Sequence, residues 1–240
     1  MNSNIVLQFN AISDFINSKK NPELARGLLI SIPVVVGISM LIYLIIWLWT
    51  RQLRKKALVA NIDEKDIPIV NEIAQKFNKL DARIVSCFKN SYHLNDLKWI
   101  ASTIKINDFK KVLLLGKDLE TPLLILQEVL KMEINILKKN IDVKKWNQQV
   151  LQKPELFTQA VKTIEQVEQD YDLIINLSTF DNYRDYQDYY PKLKEKGMLM
   201  IKQSLIFDKN NLKFLQKELI TKNIKHEVSF AHSKFLYIIK

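Results

Sequence analysis

Glycine is scarce in this chain: four residues in 240, at positions 27, 37, 116 and 197. A loop that wraps phosphates in successive backbone N–H groups needs several glycines close together, and no stretch here supplies them. Cysteine is scarcer still. A lone Cys87 rules out an internal disulfide framework and a cysteine-rich metal site. It follows Ile84 and Val85, so its expected role is buried packing rather than thiol chemistry. The three histidines, His93, His226 and His232, are far apart and show no ligand spacing. Internal repeats and low-complexity tracts are absent, and beyond residue 56 no basic run is interleaved with aromatics.

Positive charge, by contrast, is plentiful. The net charge is +10, of which residues 51–56, RQLRKK, supply four, while residues 57–240 carry about half of the excess. Such a balance attracts nucleic acid or an anionic membrane. For the C-terminal part, a lysine-rich solvated surface is the simpler expectation, and a nucleic-acid or ribosome tether rests on charge alone.

Residues 27–50, GLLISIPVVVGISMLIYLIIWLWT, contain no charge. At about 1.5 Å per helical residue they cross a hydrocarbon core of about 30 Å with some tilt. Trp47 and Trp49 stand at the C-terminal end, where interfacial indoles belong. Pro33 and Gly37 are tolerated inside such helices. A signal-peptide core is shorter and ends in small residues before a cleavage site, whereas this segment ends in Trp-Leu-Trp followed by Arg51, Arg54, Lys55 and Lys56. A single-pass membrane anchor is expected. Against Lys19, Lys20 and Arg26 on the other flank, positive-inside counting puts the C-terminal side in the cytoplasm, with the basic cluster against the inner leaflet. The expected organisation is a tail over 1–26, a transmembrane helix over 27–50, a basic juxtamembrane linker over 51–66 and a cytoplasmic domain over 67–240 at the cell membrane.

In that domain, Val70, Ile73, Phe77 and Leu80 repeat at helical spacing behind Pro68, and a second helix is expected from His93 to Ile104. The pattern then alternates. Strands are expected at 111–116, 133–139, 156–161, 172–177 and 198–202, with helices at 121–131, around Trp146 and Val150, at 162–169, across the tyrosine-rich stretch near 183–190, and at 209–222. Strands at 226–231 and 234–240 close the chain around a tight His232-Ser233 turn. Alternation of this kind predicts an α/β fold, a doubly wound, mostly parallel sheet covered on both faces; the short final turn makes the last pair antiparallel. Tyr183, Tyr186 and Tyr190, spaced i, i+3, i+7, are expected to pack one helix face on the sheet, with a base-stacking platform as the sharper alternative.

This pattern resembles the class I S-adenosylmethionine-dependent methyltransferases, with their seven-stranded Rossmann-like sheet and reversed last strand. Within that family, YDLIINLSTFDNYRDY and KLKEKGMLMIKQ (171–203) are most similar to the cation-dependent, catechol-type O-methyltransferases, matching their apolar positions, the Asn182-Tyr183 pair, Tyr186 and Gly197. The chemical motifs differ. Leu177 stands where the family's fourth strand ends in a metal-binding aspartate, Lys202-Gln203 where the fifth ends in Asp-Asn, and Phe180 where a lysine acts as base. Hard cations need oxygen donors, so no metal site is expected. Of the glycine motif after the first strand only Gly116 remains, with Leu114 and Glu120 in place of the strand acid and a second glycine. The resemblance implies S-adenosylmethionine as cofactor, with Gly116, Lys117, Asp118, Asn140 and Ser178 as the candidate residues around it. It assigns no catalytic residue. Two functions stay open: a membrane-anchored, metal-independent methyltransferase acting on an unidentified acceptor, and an inactive methyltransferase-fold pseudoenzyme that docks a protein partner.

Overall fold

The computed structural model describes residues 34–50, 63–88, 91–178, 181–203, 209–230 and 232–240. The tail over 1–26, the start of the expected span, most of the basic linker and Phe180 lie outside the described residues. The chain divides into two compact units, Met1–Asn61 and Ile62–Lys240.

In the first unit, residues 34–50 form a helix, α1, whose apolar side chains are exposed all round, from Val34 through Leu41 and Ile45 to Trp49. Two of its three described hydroxyls bond back into the helix: Ser39 Oγ donates to the Val35 carbonyl at 2.8 Å and Thr50 Oγ1 to that of Ile46 at 2.7 Å. Among the described residues no helix is long and apolar enough to cross a membrane; residues 27–33 of the expected span are not among them.

The second unit opens with three helices, α2 (Ile67–Asn78), α3 (Ala82–Ser86) and α4 (Leu94–Ile106). Pro68 starts α2 where its missing N–H has no helical partner to lose. Asp81 caps α3 by accepting from Arg83 N at 2.8 Å. Next come β1 (Val112–Leu115), α5 (Glu120–Leu130), β2 (Asn135–Leu137), α6 (Val143–Gln152), β3 (Lys162–Ile164), β4 (Tyr171–Asn176), α7 (Asn182–Tyr189), β5 (Leu193–Lys202), α8 (Lys209–Thr221), β6 (His226–Phe230) and β7 (Lys234–Ile239). The seven strands form one sheet in the order β3-β2-β1-β4-β5-β7-β6. The first five run parallel, and β7 inserts antiparallel between β5 and β6. This is the doubly wound, mostly parallel Rossmann-like sheet with a reversed last strand that the sequence predicts.

The period-2 geometry of strands sorts the core into two layers. Leu114, Ile136, Leu173, Ile175 and Met200 face α2–α6, meeting Ile73, Leu97, Ile100 and Leu123. Leu113, Leu137, Ile174, Leu199 and Ile201 face α7 and α8, meeting Tyr186, Leu215 and Leu219. Tyr186 is buried and Tyr183 and Tyr190 are packed against the same layer, so the tyrosine face serves the core as expected. Cys87 is buried too; burial pushes its thiol pKa up, and its Sγ donates to Gln149 Oε1 at 3.3 Å.

Several expected boundaries move. The third strand is not 156–161 but Lys162–Ile164, and no helix occupies 162–169. Pro154 starts a 3-10 turn instead, Leu156 is buried, and the Phe157 ring packs edge-on against Trp146 at 5.1 Å. Those apolar residues fill core space beside α6, while the true strand is a polar edge strand without a hydrophobic signal. The second strand shrinks from 133–139 to three residues, with a 3-10 turn over Lys138–Asn140. The fifth strand grows backwards to Leu193 through the exposed Lys194, Glu195 and Lys196.

That extension depends on Gly197. The pairing of β5 with β4 slips between Tyr171 and Leu173, and a Cβ on Gly197 would lie 2.8 Å from the Tyr171 carbonyl and 2.9 Å from that of Lys194. Both obstacles are backbone. Gly197→Ala is expected to cost about 2 kcal/mol through overpacking, read as a lower urea midpoint with an unchanged slope; an unchanged midpoint would contradict this close approach.

Candidate functional site

Between β1 and β4 the winding of the sheet reverses, because β1 connects outward to β2 on one side while β4 and β5 extend the other. In open α/β sheets such a switch point opens a crevice at the carboxyl ends of the strands. Here it holds a cleft of about 390 Å³, within the roughly 300–1,000 Å³ of small-ligand sites. Its base is made by the last residues of β1, β2 and β4: Leu115, Leu137 and Asn176. Gly116, Lys117, Asn140 and Ser178, four of the five residues singled out from sequence, line it together. Asp118, with φ 49°, lies in the turn beyond and is not part of the lining. One wall comes from α7 through Arg184, Asp185 and Tyr189, and Asp181 at that helix's N-cap faces the cleft as well.

Gly116 follows β1 with φ 144°, and a Cβ there would lie 3.1 Å from Leu119 Cδ2 and 3.4 Å from both Leu177 Cβ and Ser178 N. Glycine is what lets the chain turn so close to the end of β4. Leu119 and Leu114 are fully buried and Glu120 turns away, its Oε1 accepting from Asp142 N at 3.0 Å. The loop from Gly116 to Leu119 therefore leaves the cleft open. Asn140, in the turn after β2, donates from Nδ2 to the Gly116 carbonyl, tying the two loops together. Its Oδ1 is buried and has no partner among the described residues. Asn176 accepts from Ser178 N at 3.1 Å and donates to Asp185 Oδ2 at 2.8 Å, so a single amide positions both. Asp181 accepts from Asn211 Nδ2 and from the Arg184 and Tyr183 N–H groups, which together hold its pKa below the usual carboxylate range.

The end of β5 is closed. The Lys202 ammonium lies 3.2 Å from Asp96 Oδ2. Asp96, at the start of α4, is 1% exposed and accepts from Ser233 N at 2.7 Å and Ser233 Oγ at 2.6 Å. Burial alone would raise its pKa; the Ser233 hydrogen bonds and Lys202 outweigh that and hold it low. Beside it, Gln203 and Asn182, both buried, exchange two amide hydrogen bonds of 2.9 Å. Lys202 also sits over the Tyr92 ring at 5.0 Å, and the Tyr92 hydroxyl donates to the Lys117 carbonyl at the cleft. Burial pushes Tyr92 up to about 12, so it stays a neutral donor. The His93 and His232 rings stack in parallel at 3.7 Å, pinning the β6–β7 turn to α4.

The cleft and the strand end differ in what they can hold. An unpartnered buried acceptor and a glycine-lined approach fit a nucleoside carrying hydroxyl donors, as S-adenosylmethionine does. A divalent cation does not fit at the neighbouring ends of β4 and β5: Leu177 after β4 is a buried alkyl group, Lys202 is cationic, and Gln203 spends its amide on Asn182. Among the described residues no group of three or more His, Cys, Asp or Glu could hold a metal ion. Sequence reasoning missed Asp96, Ser233 and Tyr92. The partners are 137 residues apart in the chain, and no local pattern marks them. Asn182 was visible only as part of the Asn-Tyr pair.

No protein-family model matches the chain, and no curated protein matches it. Solved structures are similar at low identity. An O-methyltransferase from Bacillus cereus in complex with SAH is 8% identical over 75% of this chain and 93% of its own, with a TM-score of 0.46. The SAH-bound Podospora anserina methyltransferase PaMTH1 is 14% identical over 79% and 94%, at 0.45. A SAM-dependent O-methyltransferase from Thermotoga maritima is 14% identical over 63% and 67%, also at 0.45. Likeness this distant says nothing of activity.

Asp96 has a testable signature. A carboxyl whose folded pKa is depressed adds stability that is full above its unfolded value, about 3.9, and lost as pH falls through the folded one. Asp96→Asn is expected to cost about 3 kcal/mol at pH 7, because it leaves Lys202 without its counter-charge, and to flatten the loss of stability below about pH 4. The double variant Asp96→Asn/Lys202→Met should recover part of the loss in urea titrations. Additive losses would show that the two residues are not coupled.

Proposed function

We propose that the Ile62–Lys240 unit binds S-adenosylmethionine in the switch-point cleft and acts as a metal-independent methyltransferase held at a membrane by residues 27–50. The observation that carries the cofactor reading is Asn140, which lines the cleft beside Gly116 and whose buried Oδ1 has no partner among the described residues. A ribose hydroxyl would supply the missing donor. Lys117 and Ser178 flank the same space, and the Asp181 and Asp185 carboxylates on the α7 side suit a ligand with sulfonium and ammonium charges. When bound, the cofactor supplies an electrophilic methyl group. The chain would contribute alignment of an acceptor with that methyl and exclusion of water. Lys202 and Gln203, bound to neighbours, take no part in the transfer, and no residue of the cleft is assigned as a base.

The membrane reading rests on α1. A helix that is apolar on every side and exposed along its described length has no counterpart in a water-facing surface. The Ser39 and Thr50 hydroxyls, satisfied within the helix, suit a hydrocarbon surrounding, where unpaired polar groups are costly. With Arg51, Arg54, Lys55 and Lys56 on the cytoplasmic side, the second unit would work at the inner leaflet.

The same locks on β5 favour a second reading, in which the fold is kept as a docking module without methyl transfer. Calorimetry on the full chain in nanodiscs is the first test. S-adenosylmethionine is expected to bind, to bind at least tenfold more weakly to Asn140→Leu, and to bind equally with and without EDTA. No heat at about 1 mM cofactor, with the protein folded, would end the methyltransferase reading; binding without methyl transfer to any membrane or cytosolic acceptor would favour the docking module. For the anchor, alkaline carbonate washing should leave the chain in the membrane pellet, with residues 62–240 open to protease from the cytoplasmic side only. Release into the supernatant would refute it.

A further inference from the structure

Helix α8 is amphipathic in a particular way. Leu212, Leu215 and Leu219 are buried against the sheet. At 3.6 residues per turn, Lys213, Phe214, Lys217 and Ile220 share an outward arc of roughly 120°. Both lysines are exposed, Phe214 is 58% exposed and Ile220 67%. The one acid of the helix, Glu218, pairs with Lys222 at 2.6 Å. Neither Lys213 nor Lys217 forms an ion pair among the described residues. Two large apolar side chains thus stand in water at the two edges of an arc whose middle holds two cations that form no ion pair among the described residues.

We propose that this face of α8 docks on an anionic lipid bilayer, with Phe214 and Ile220 entering the headgroup–acyl boundary and Lys213 and Lys217 meeting lipid phosphates and carboxylates. A helix that exposes cations together with large aromatic and aliphatic side chains has the makeup of those that lie in the plane of an interface. A second copy of the chain would set lysine against lysine in a two-fold contact. Nucleic acid would use the lysines and stack on Phe214 but has no use for Ile220. The position matters for the cleft. The Phe214 ring packs on Tyr183 of α7 at 5.4 Å, and Asn211 at the start of α8 bonds Asp181 at the cleft. Docking α8 therefore brings the α7 wall of the cleft close to the lipid surface. This proposal does not depend on residues 27–50 spanning a bilayer.

The test uses the full chain carrying Cys87→Ala and Ile220→Cys, labelled with an environment-sensitive nitrobenzoxadiazole dye. It is reconstituted in nanodiscs of phosphatidylcholine alone or with about one-third phosphatidylserine. The anionic discs should shift the emission to the blue, the neutral discs should not, and Lys213→Glu/Lys217→Glu should abolish the shift while Lys144→Glu on α6 leaves it intact. Each lysine near anionic lipid is worth about fivefold in affinity, so the double reversal should be decisive. Equal, water-like emission in both disc types would overturn the proposal, as would loss of the shift on adding RNA at low salt. Should the chain fail to co-elute with nanodiscs, the anchor reading fails, and the same label read with preformed anionic vesicles still decides the α8 surface.

Discussion

A carboxylate with almost no access to water organises one end of this sheet. Asp96 gathers the Ser233 backbone N–H, the Ser233 hydroxyl and the Lys202 ammonium. Through these bonds it joins three parts distant in sequence: the first turn of α4, the turn between the last two strands, and the tip of β5. An unpaired buried charge would cost several kcal/mol, so the three must assemble together or not at all. The stacked imidazoles of His93 and His232 and the hydrogen bond from Trp99 Nε1 to the Tyr237 hydroxyl fasten the same seam. At the other edge of the domain core, Asp172 plays a similar part, accepting from the Lys110 and Lys111 N–H groups at 2.7 Å and pairing with Lys194.

With the tip of β5 closed, the open ground lies in the neighbouring crevice. Lys202 and Gln203 are the residues nearest a would-be metal site, and both have their polar atoms engaged. What remains open is the ground between β1, β2 and β4, where Asn140 holds an unused acceptor and Gly116 keeps the approach clear. The two regions are not independent. Tyr92 lies under the Lys202 ammonium and bonds the Lys117 carbonyl, while Asn182, partner of Gln203, is the first residue of the helix that walls the cleft. The rigidity of the closed tip thus reaches the rim of the open cleft.

Much of the fold was legible because strand and helix periodicity survive in β1, β4, β7 and the flanking helices. Leu113 and Leu114 point to opposite layers, as a buried strand requires. The third strand was misplaced because its apolar neighbours, Leu156 and Phe157, answer to Trp146 rather than to the sheet, and Lys162–Ile164 is too polar to announce itself. Four of the five candidate cofactor residues converge on one cleft because each lies within a few residues after the end of a strand, and strand ends can be read from a sequence. Asp118 faces elsewhere because the left-handed turn that carries it belongs to the start of α5. The Asp96–Ser233–Lys202 cluster left no trace in the sequence: its members meet only through tertiary folding, and a lone Asp in a helix N-terminus reads as ordinary solvated charge.

The open cleft and the closed strand tip can be checked in one crystal, grown with S-adenosylhomocysteine and manganese and measured at the manganese absorption edge. Nucleoside density between Gly116, Asn140 and Ser178, with no anomalous peak at the end of β5, is the expected result. A manganese ion coordinated beside Leu177 and Gln203, with Lys202 swung away from Asp96, would contradict it.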